Sequence, residues 1–304
     1  MTRPHLLFAM ICLVWGTTWI AIKAGVTTVP PIFFAGTRFT IAGAILLAVA
    51  GRGRGLATLR PDLPRLAVVS LLMITATYGL LFWGAQFISS GLAAILDLAF
   101  TPVALLGIGV RFGQERFTLL RALGLALGIA GLLVLFGPKA LDGTEATLLW
   151  FAGGAAMVVS AFIYALGSVL ARPLLNRHPA VLVSGLTTFG GGLLLTAGAL
   201  AFEPGAVAAL SGTWGWAAWA GWAFLVLFGS LLAYTAFLRL VRDWGPARAG
   251  SYAFVSPVIA VLLGVLVFGE TVTVLDALGM AIMLAGAWLT VRPAPQTSSE
   301  YVRS

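Results

Sequence analysis

Charged side chains are scarce in this sequence: they make up 9% of its 304 residues against 60% hydrophobic, and the mean hydropathy is +1.03. A water-soluble fold needs far more polar surface than that, so the composition excludes a soluble domain and specifies a protein whose solvent is largely lipid. Cysteine is nearly absent. The one thiol, Cys12, falls inside the first apolar run, which rules out an intrachain disulfide and a thiolate metal cluster. Histidine is limited to His5 and His178, both at the edges of apolar runs, so a nucleophile with its base, or a metal set, has no parts at one depth. No cofactor or metal site is implied, and a membrane-embedded enzyme is the least favoured alternative. A phosphate-binding Gly-Lys-Ser/Thr is also missing, and the GRGRG at 51–55 lacks both a preceding strand and that ending, so the chain itself has no means of ATP drive.

What is present is length in apolar runs. A hydrocarbon core of about 30 Å needs about 20 residues of helix, and that ruler gives an all-α membrane protein of ten spans: His5–Val26, Pro31–Ala50, Arg65–Gln86, Gly91–Val110, Thr118–Gly137, Thr147–Ala171, Pro179–Ala201, Trp214–Leu238, Ala247–Phe268 and Thr273–Val291. The first run is too long for a signal peptide's apolar core and has no small-residue cleavage site, so it reads as a retained span. Ten spans put both termini on one side. Fifteen of the 18 Lys and Arg fall on that side, Lys23 and Lys139 fall on the other, and only Arg38 lies well inside a span, so both termini are expected in the cytoplasm. Scattered this way, the net charge of +8 describes membrane orientation and not a nucleic-acid face.

One stretch occurs twice. Leu92–Val134 aligns without a gap on Ala247–Leu289, with 14 identities in 43 pairs that include Pro102/Pro257, Gly109/Gly264, Glu115/Glu270, Thr118/Thr273, Gly124/Gly279 and Gly131/Gly286. Five spans per half is an odd number, so the copies must cross in opposite directions. The charges follow: Arg111, Arg116 and Arg121 on one turn become Leu266, Thr271 and Asp276 on the other. The expected organisation is two inverted-topology repeats of five helices, residues 1–138 and 139–292, followed by a disordered polar tail at 293–304.

Val14-Trp15-Gly16, Thr37-Arg38-Phe39, Pro102…Glu115…Gly124…Gly131, Gly245-Pro246-Ala247-Arg248-Ala249 and Pro257…Glu270…Gly279…Gly286 stand in this order along nearly the whole chain. The ordered set closely resembles the EamA-type transporters of the drug/metabolite transporter superfamily. The resemblance implies a multi-pass carrier of the bacterial inner membrane, often an exporter of amino acids or related metabolites, with a central cavity lined by the first four helices of each half. It leaves the substrate open among amino acids, purines, sugars and drugs.

Charged groups inside hydrocarbon are functional candidates because they are costly. Asp97 in the fourth span and Arg38 in the second lie at similar depth and are placed to pair across a cavity or to hold a charged solute. Trp15, Trp19, Tyr78, Tyr164, Tyr234 and Tyr252 lie deeper than an interfacial belt and are expected to line the same cavity, with Tyr252 the repeat counterpart of Asp97. Together these eight are the predicted substrate-binding residues. Pro102 and Pro257 each remove a helical hydrogen bond and are predicted hinges. Glu115 and Glu270 precede Thr-led helices and are predicted structural caps for them. Gly124-x-x-x-Gly128 fits close helix packing, within the chain or in a homodimer. The partners implied are a small-molecule substrate and the bilayer, with no nucleic acid; monomer and homodimer both remain open. Import or antiport of sugar-phosphate or nucleotide-type solutes is the alternative transport reading.

Overall fold

The structure, a computed structural model, describes residues 3–50, 57–140, 147–268 and 271–292. The GRGRG segment, Glu270 and the tail at 293–304 lie outside the described residues, as do the side chains of Trp19 and Lys139. Ten apolar spans run α1 (Pro4–Val26), α2 (Pro31–Ala50), α3 (Leu59–Gly84), α4 (Gly91–Arg111), α5 (Leu119–Pro138), α6 (Leu148–Arg177), α7 (Ala180–Phe202), α8 (Trp216–Trp244), α9 (Pro246–Leu266) and α10 (Val274–Val291). No strand occurs among the described residues.

Two helices outrun the expected boundaries at the end of the bundle where α1 begins and α10 ends. α6 continues past Ala171 to Arg177 and α8 past Leu238 to Trp244. An apolar ruler stops at the first arginines, but Leu174, Leu175, Leu240 and Val241 are fully buried while Arg177 and Arg242 turn outward, so these ends are amphipathic and stay helical. α3 starts early for a related reason. A short 3₁₀ segment, Ala57–Asp62, leads into it, and Asp62 is tied to the α6–α7 turn by His178 (Nε2 to Oδ2, 2.7 Å) and Arg177 (3.1 Å).

Helix packing follows a rule of five. α2 lies along α7 and α5 along α10; α4 packs on α6 as α1 packs on α9, and α3 packs on α6 as α1 packs on α8. Small residues allow the two long contacts. In α2 and α7, Gly36 lies against Thr196 and Gly43 against Phe189; in α5 and α10, Gly124 lies against Gly286 and Thr290, and Gly131 against Gly279 and Met283. Rising numbers in one helix meet falling numbers in the other, so both pairs are antiparallel. The Gly124-x-x-x-Gly128 spacing is consumed inside the chain, with Gly128 against Phe254 and Gly286.

The third and eighth spans each change pitch. α3 carries a π segment at Leu71–Ala76 and α8 one at Leu225–Tyr234. A π turn frees a carbonyl and rotates the residues that follow it, and such turns collect at functional sites. Apolar periodicity does not announce them.

Candidate functional site

A cavity of about 360 Å³ is lined by the α8 π segment, through Gly229, Ser230 and Tyr234, and by Thr77 and Tyr78, which directly follow the α3 one. It draws on α1 (Trp15, Thr18), α2 (Arg38, Phe39), α3 (Thr77, Tyr78), α4 (Asp97, Thr101), α6 (Tyr164), α8 (Ser230, Tyr234) and α9 (Tyr252, Ser256). Seven of the eight residues singled out as substrate contacts thus meet around one space; Trp19 is the exception, its side chain lying outside the described residues. Towards the end where α1 turns into α2, the lining continues through Val26, Pro31 and Gln86, at the last turn of α1, the first of α2 and just beyond α3.

The opposite end is closed by aromatic packing. Phe237, one turn beyond Tyr234 in α8, is completely buried between the rings of Trp15, Tyr164 and Tyr252, at 5.4, 5.6 and 5.8 Å between centroids. Trp15 also meets Tyr252 edge-on at 4.3 Å. These four rings form a floor. Beneath it, α6 packs on the last part of α8, whereas α1 makes no comparable contact with α3 at the other end.

Arg38 and Asp97 enter the cavity from different helices without forming an ion pair with each other among the described residues. The Arg38 guanidinium is buried instead against aromatic faces, its Cζ 4.4 Å from the Phe39 centroid and 5.4 Å from that of Tyr78, and its Nε has no protein partner. Asp97 is half-buried in the cavity wall. Thr101, one helical turn further on, shares its face, and Ser256 occupies the repeat position of Thr101. Tyr234 is less available, because its hydroxyl is 3.3 Å from Thr187 Oγ1 and 3.6 Å from Met73 Sδ. Lys23 is exposed near the end of α1 and is not part of the lining.

Pro102 and Pro257 both lie within helices. α4 continues as helix through Pro102, and the break in α9 falls at Ser251, six residues ahead of Pro257, where the Ser251 hydroxyl donates to the Arg248 carbonyl at 2.7 Å. Glu115 does cap a helix, but not the one it precedes. Thr118 serves α5, accepting from the Arg121 amide at 3.3 Å, while the Glu115 carboxylate reaches across to accept from the Ala247 amide in the first turn of α9 at 3.1 Å. The reason is steric: Gly245 turns with φ +87° and has no Cβ, and a Glu115 carboxylate oxygen lies where one would be. Glu270 lies outside the described residues.

Sequence reasoning missed Phe237, Thr77, Ser230 and Gln86. Phe237 carries no local mark that separates it from the other 18 phenylalanines, and the three polar residues gain their positions from the π turns or the mouth. Thr101 and Ser256 were findable, since each directly precedes a matched proline.

The model of the EamA-like transporter family matches residues 2–137 and again 151–292. The chain belongs to that family. It is 33% identical over 283 residues to the inner membrane transporter YedA of Escherichia coli, covering 91% of this chain and 87% of that one. The transporter YoaV of Bacillus subtilis is 26% identical over 95% of this chain and 97% of its own, and protein PagO of Salmonella typhimurium 29% identical over 96% and 95%. A solved crystal structure superposes with a TM-score of 0.78 over 95% of this chain and 97% of its own at 21% identity, which shows the same fold. The protein is a multi-pass membrane transporter of this family.

Proposed function

We propose that the protein exports small metabolites, amino acids first among them, from the bacterial cytoplasm by alternating access through the central cavity. The observation that carries this reading is the cavity's pairing of one buried cation, Arg38, with one acid, Asp97, each free of the other, in a chamber otherwise lined by aromatic, aliphatic and hydroxyl side chains. A zwitterion offers a carboxylate to the first and an ammonium to the second, and its side chain meets Trp15, Tyr78 and Tyr252. A volume of about 360 Å³ lies at the small end of ligand pockets, which suits a single metabolite.

Two inverted halves, residues 1–138 and 139–292, supply the motion in this proposal. The antiparallel α2–α7 and α5–α10 contacts and the packing rule of five support it, because exchanging the halves then interchanges open and closed ends. With the termini in the cytoplasm, the cavity described above opens outward and the Phe237 floor is the inner gate. Pro102 and Pro257, each immediately after a cavity hydroxyl residue, are the places where α4 and α9 bend between states.

The test is transport by purified protein in liposomes. Labelled amino acids should exchange, and Asp97→Asn and Arg38→Gln should depress exchange more than Tyr234→Phe. Normal transport by both cavity variants would end the site assignment. Saturable exchange of sugar phosphates, with none of amino acids, would favour the alternative solute class, against which the cavity's single arginine argues.

A further inference from the structure

Two polar atoms from the cavity wall are buried without a protein partner: Arg38 Nε, carried by α2, and Ser230 Oγ, carried by the π segment of α8. Both residues are more than nine-tenths buried, with 4% of Arg38 and 1% of Ser230 exposed. A hydroxyl inside a helical bundle can donate to a carbonyl about one turn back in its own helix. Elsewhere in the bundle this is what buried hydroxyls do: Ser70 donates to the Leu66 carbonyl at 2.8 Å, Ser168 to Tyr164 at 2.8 Å and Thr188 to Ser184 at 2.6 Å. In the cavity wall itself, Thr18 donates to the Trp15 carbonyl at 2.7 Å. Thr77, which follows the π segment of α3, reaches five residues back to the Leu72 carbonyl, also at 2.7 Å. Ser230 does neither. A hydroxyl left unpaired in the interior is destabilising, and in a cavity wall a ligand atom can satisfy it.

The two unpartnered donors belong to helices that adjoin. α2 packs along the π segment of α8, and one residue before Arg38 the Thr37 hydroxyl accepts from the Trp222 indole of α8 at 3.1 Å. Thr37 is already engaged, because it also donates to the Phe33 carbonyl at 2.9 Å. Asp97 comes from another part of the bundle, since its helix, α4, packs on α5, α6 and α9. The chamber therefore has a cationic, donor-bearing part made by α2 and α8 and an acidic part made by α4.

We infer that Arg38 and Ser230 together form the carboxylate subsite of the cavity, with Ser230 a binding residue for the anionic end of the solute. Arg38 Nε–H and the Ser230 hydroxyl both donate to the ligand's carboxylate, which has two oxygens and about four lone-pair directions and so takes both donors at once. The negative charge strengthens each bond. An ammonium in the same place would meet a cation and a donor, so the subsite fixes which way round an amino acid lies. This inference rests on the amino-acid reading above and adds to it the second donor. It also gives the π turn of α8 a use, that of presenting a hydroxyl which its own helix does not take up.

Leucine and its two fragments test the subsite on purified protein in detergent, without transport. Isocaproate is leucine without its amino group, and isoamylamine is leucine without its carboxylate. Affinities for all three are read from ligand-dependent shifts in melting temperature. Ser230→Ala should weaken binding of isocaproate and of leucine roughly tenfold and leave isoamylamine unchanged. It should also hold or raise the melting temperature of the ligand-free protein, because it removes a hydroxyl that is unpaired there. A lowered ligand-free melting temperature with unchanged affinities would make Ser230 a packing residue and overturn the subsite. Equal weakening of isocaproate and isoamylamine would overturn it as well, as would failure of isocaproate to bind the parent protein. The amino-acid reading fails separately: leucine binding no more tightly than isocaproate would remove the ammonium site at Asp97 and leave the carboxylate subsite standing.

Discussion

Between the α4–α5 stretch and its copy in α9–α10, the positions that match and the positions that differ have separate fates in three dimensions. The matched glycines lie in the helix contacts: Gly124 and Gly131 of α5 meet Gly286 and Gly279 of α10, each half lending the same residue type to the same antiparallel seam. The differing pairs lie where the halves do different work. Asp97 and Tyr252 both line the cavity, and Arg121 braces Glu115 while Asp276 caps its own helix. Since α5 and α10 are antiparallel, so are α4 and α9, and a residue four places before the middle of each lies at opposite depth. At about 1.5 Å per residue, Asp97 and Tyr252 stand about 12 Å apart along the bundle axis, one towards the mouth and the other in the floor. The matched positions pack the helices together, and the differing ones give the cavity a top and a bottom.

The comparison breaks if a matched position proves dispensable for stability. Gly131→Leu should have the largest effect of the set. Even a Cβ there would come within 2.7 Å of the Gly279 carbonyl, and backbone cannot step aside as a side chain can, so α5 must lift from α10. A loss of about 3 kcal/mol or more is expected, read as a clear fall in the melting temperature in detergent together with loss of transport. A wild-type melting temperature would show that the seam is not what the glycines serve.

At the differing position the two readouts should separate. Asp97→Asn keeps the shape of the side chain but removes its charge, and a charged hydrogen bond to a solute is worth about 1.5–3 kcal/mol. Amino-acid exchange should fall by roughly tenfold or more while the melting temperature holds. Tyr252→Phe is milder, because the ring still meets Trp15 and Phe237 and only a hydroxyl is lost; transport should stay within about fivefold of the parent. Equal losses from the two variants would mean that floor and mouth are not chemically distinct.

The ten spans and their order were legible because they rest on a local quantity, the length of each apolar run. The cavity residues were legible for a related reason, since Asp97 and Arg38 are costly in lipid wherever they fall. Glu115 was misplaced because capping was sought in the next helix, and the partner it takes, Ala247, is 132 residues away through a glycine turn that only the fold brings near. Phe237 was invisible for the opposite reason. Nothing about it is costly, and its role comes from three rings that converge on it from α1, α6 and α9.

Glu203 marks a limit to reading function from unmatched acids. It lies just beyond α7, outside the repeated stretch, and its carboxylate caps the start of α2, accepting from the amides of Ile32 at 2.8 Å and Phe33 at 2.7 Å. It resembles Glu115 in crossing from one half to the other, yet no ion pair is seen for it among the described residues. Burial raises its pKa above the usual carboxylate value, and the two amides only partly oppose that. The folded protein therefore holds this proton more tightly than the unfolded chain. The resulting stabilisation is complete below the ordinary carboxylate range and is lost as pH rises through the raised value. Comparing the parent with Glu203→Gln from about pH 4 to about pH 7, the parent's melting temperature should decline relative to the variant's, the smallest effect of the series, with amino-acid exchange at neutral pH little changed. A relative rise over that interval would mean that the amides outweigh burial, and a loss of exchange as large as that of Asp97→Asn would place Glu203 with the cavity residues after all.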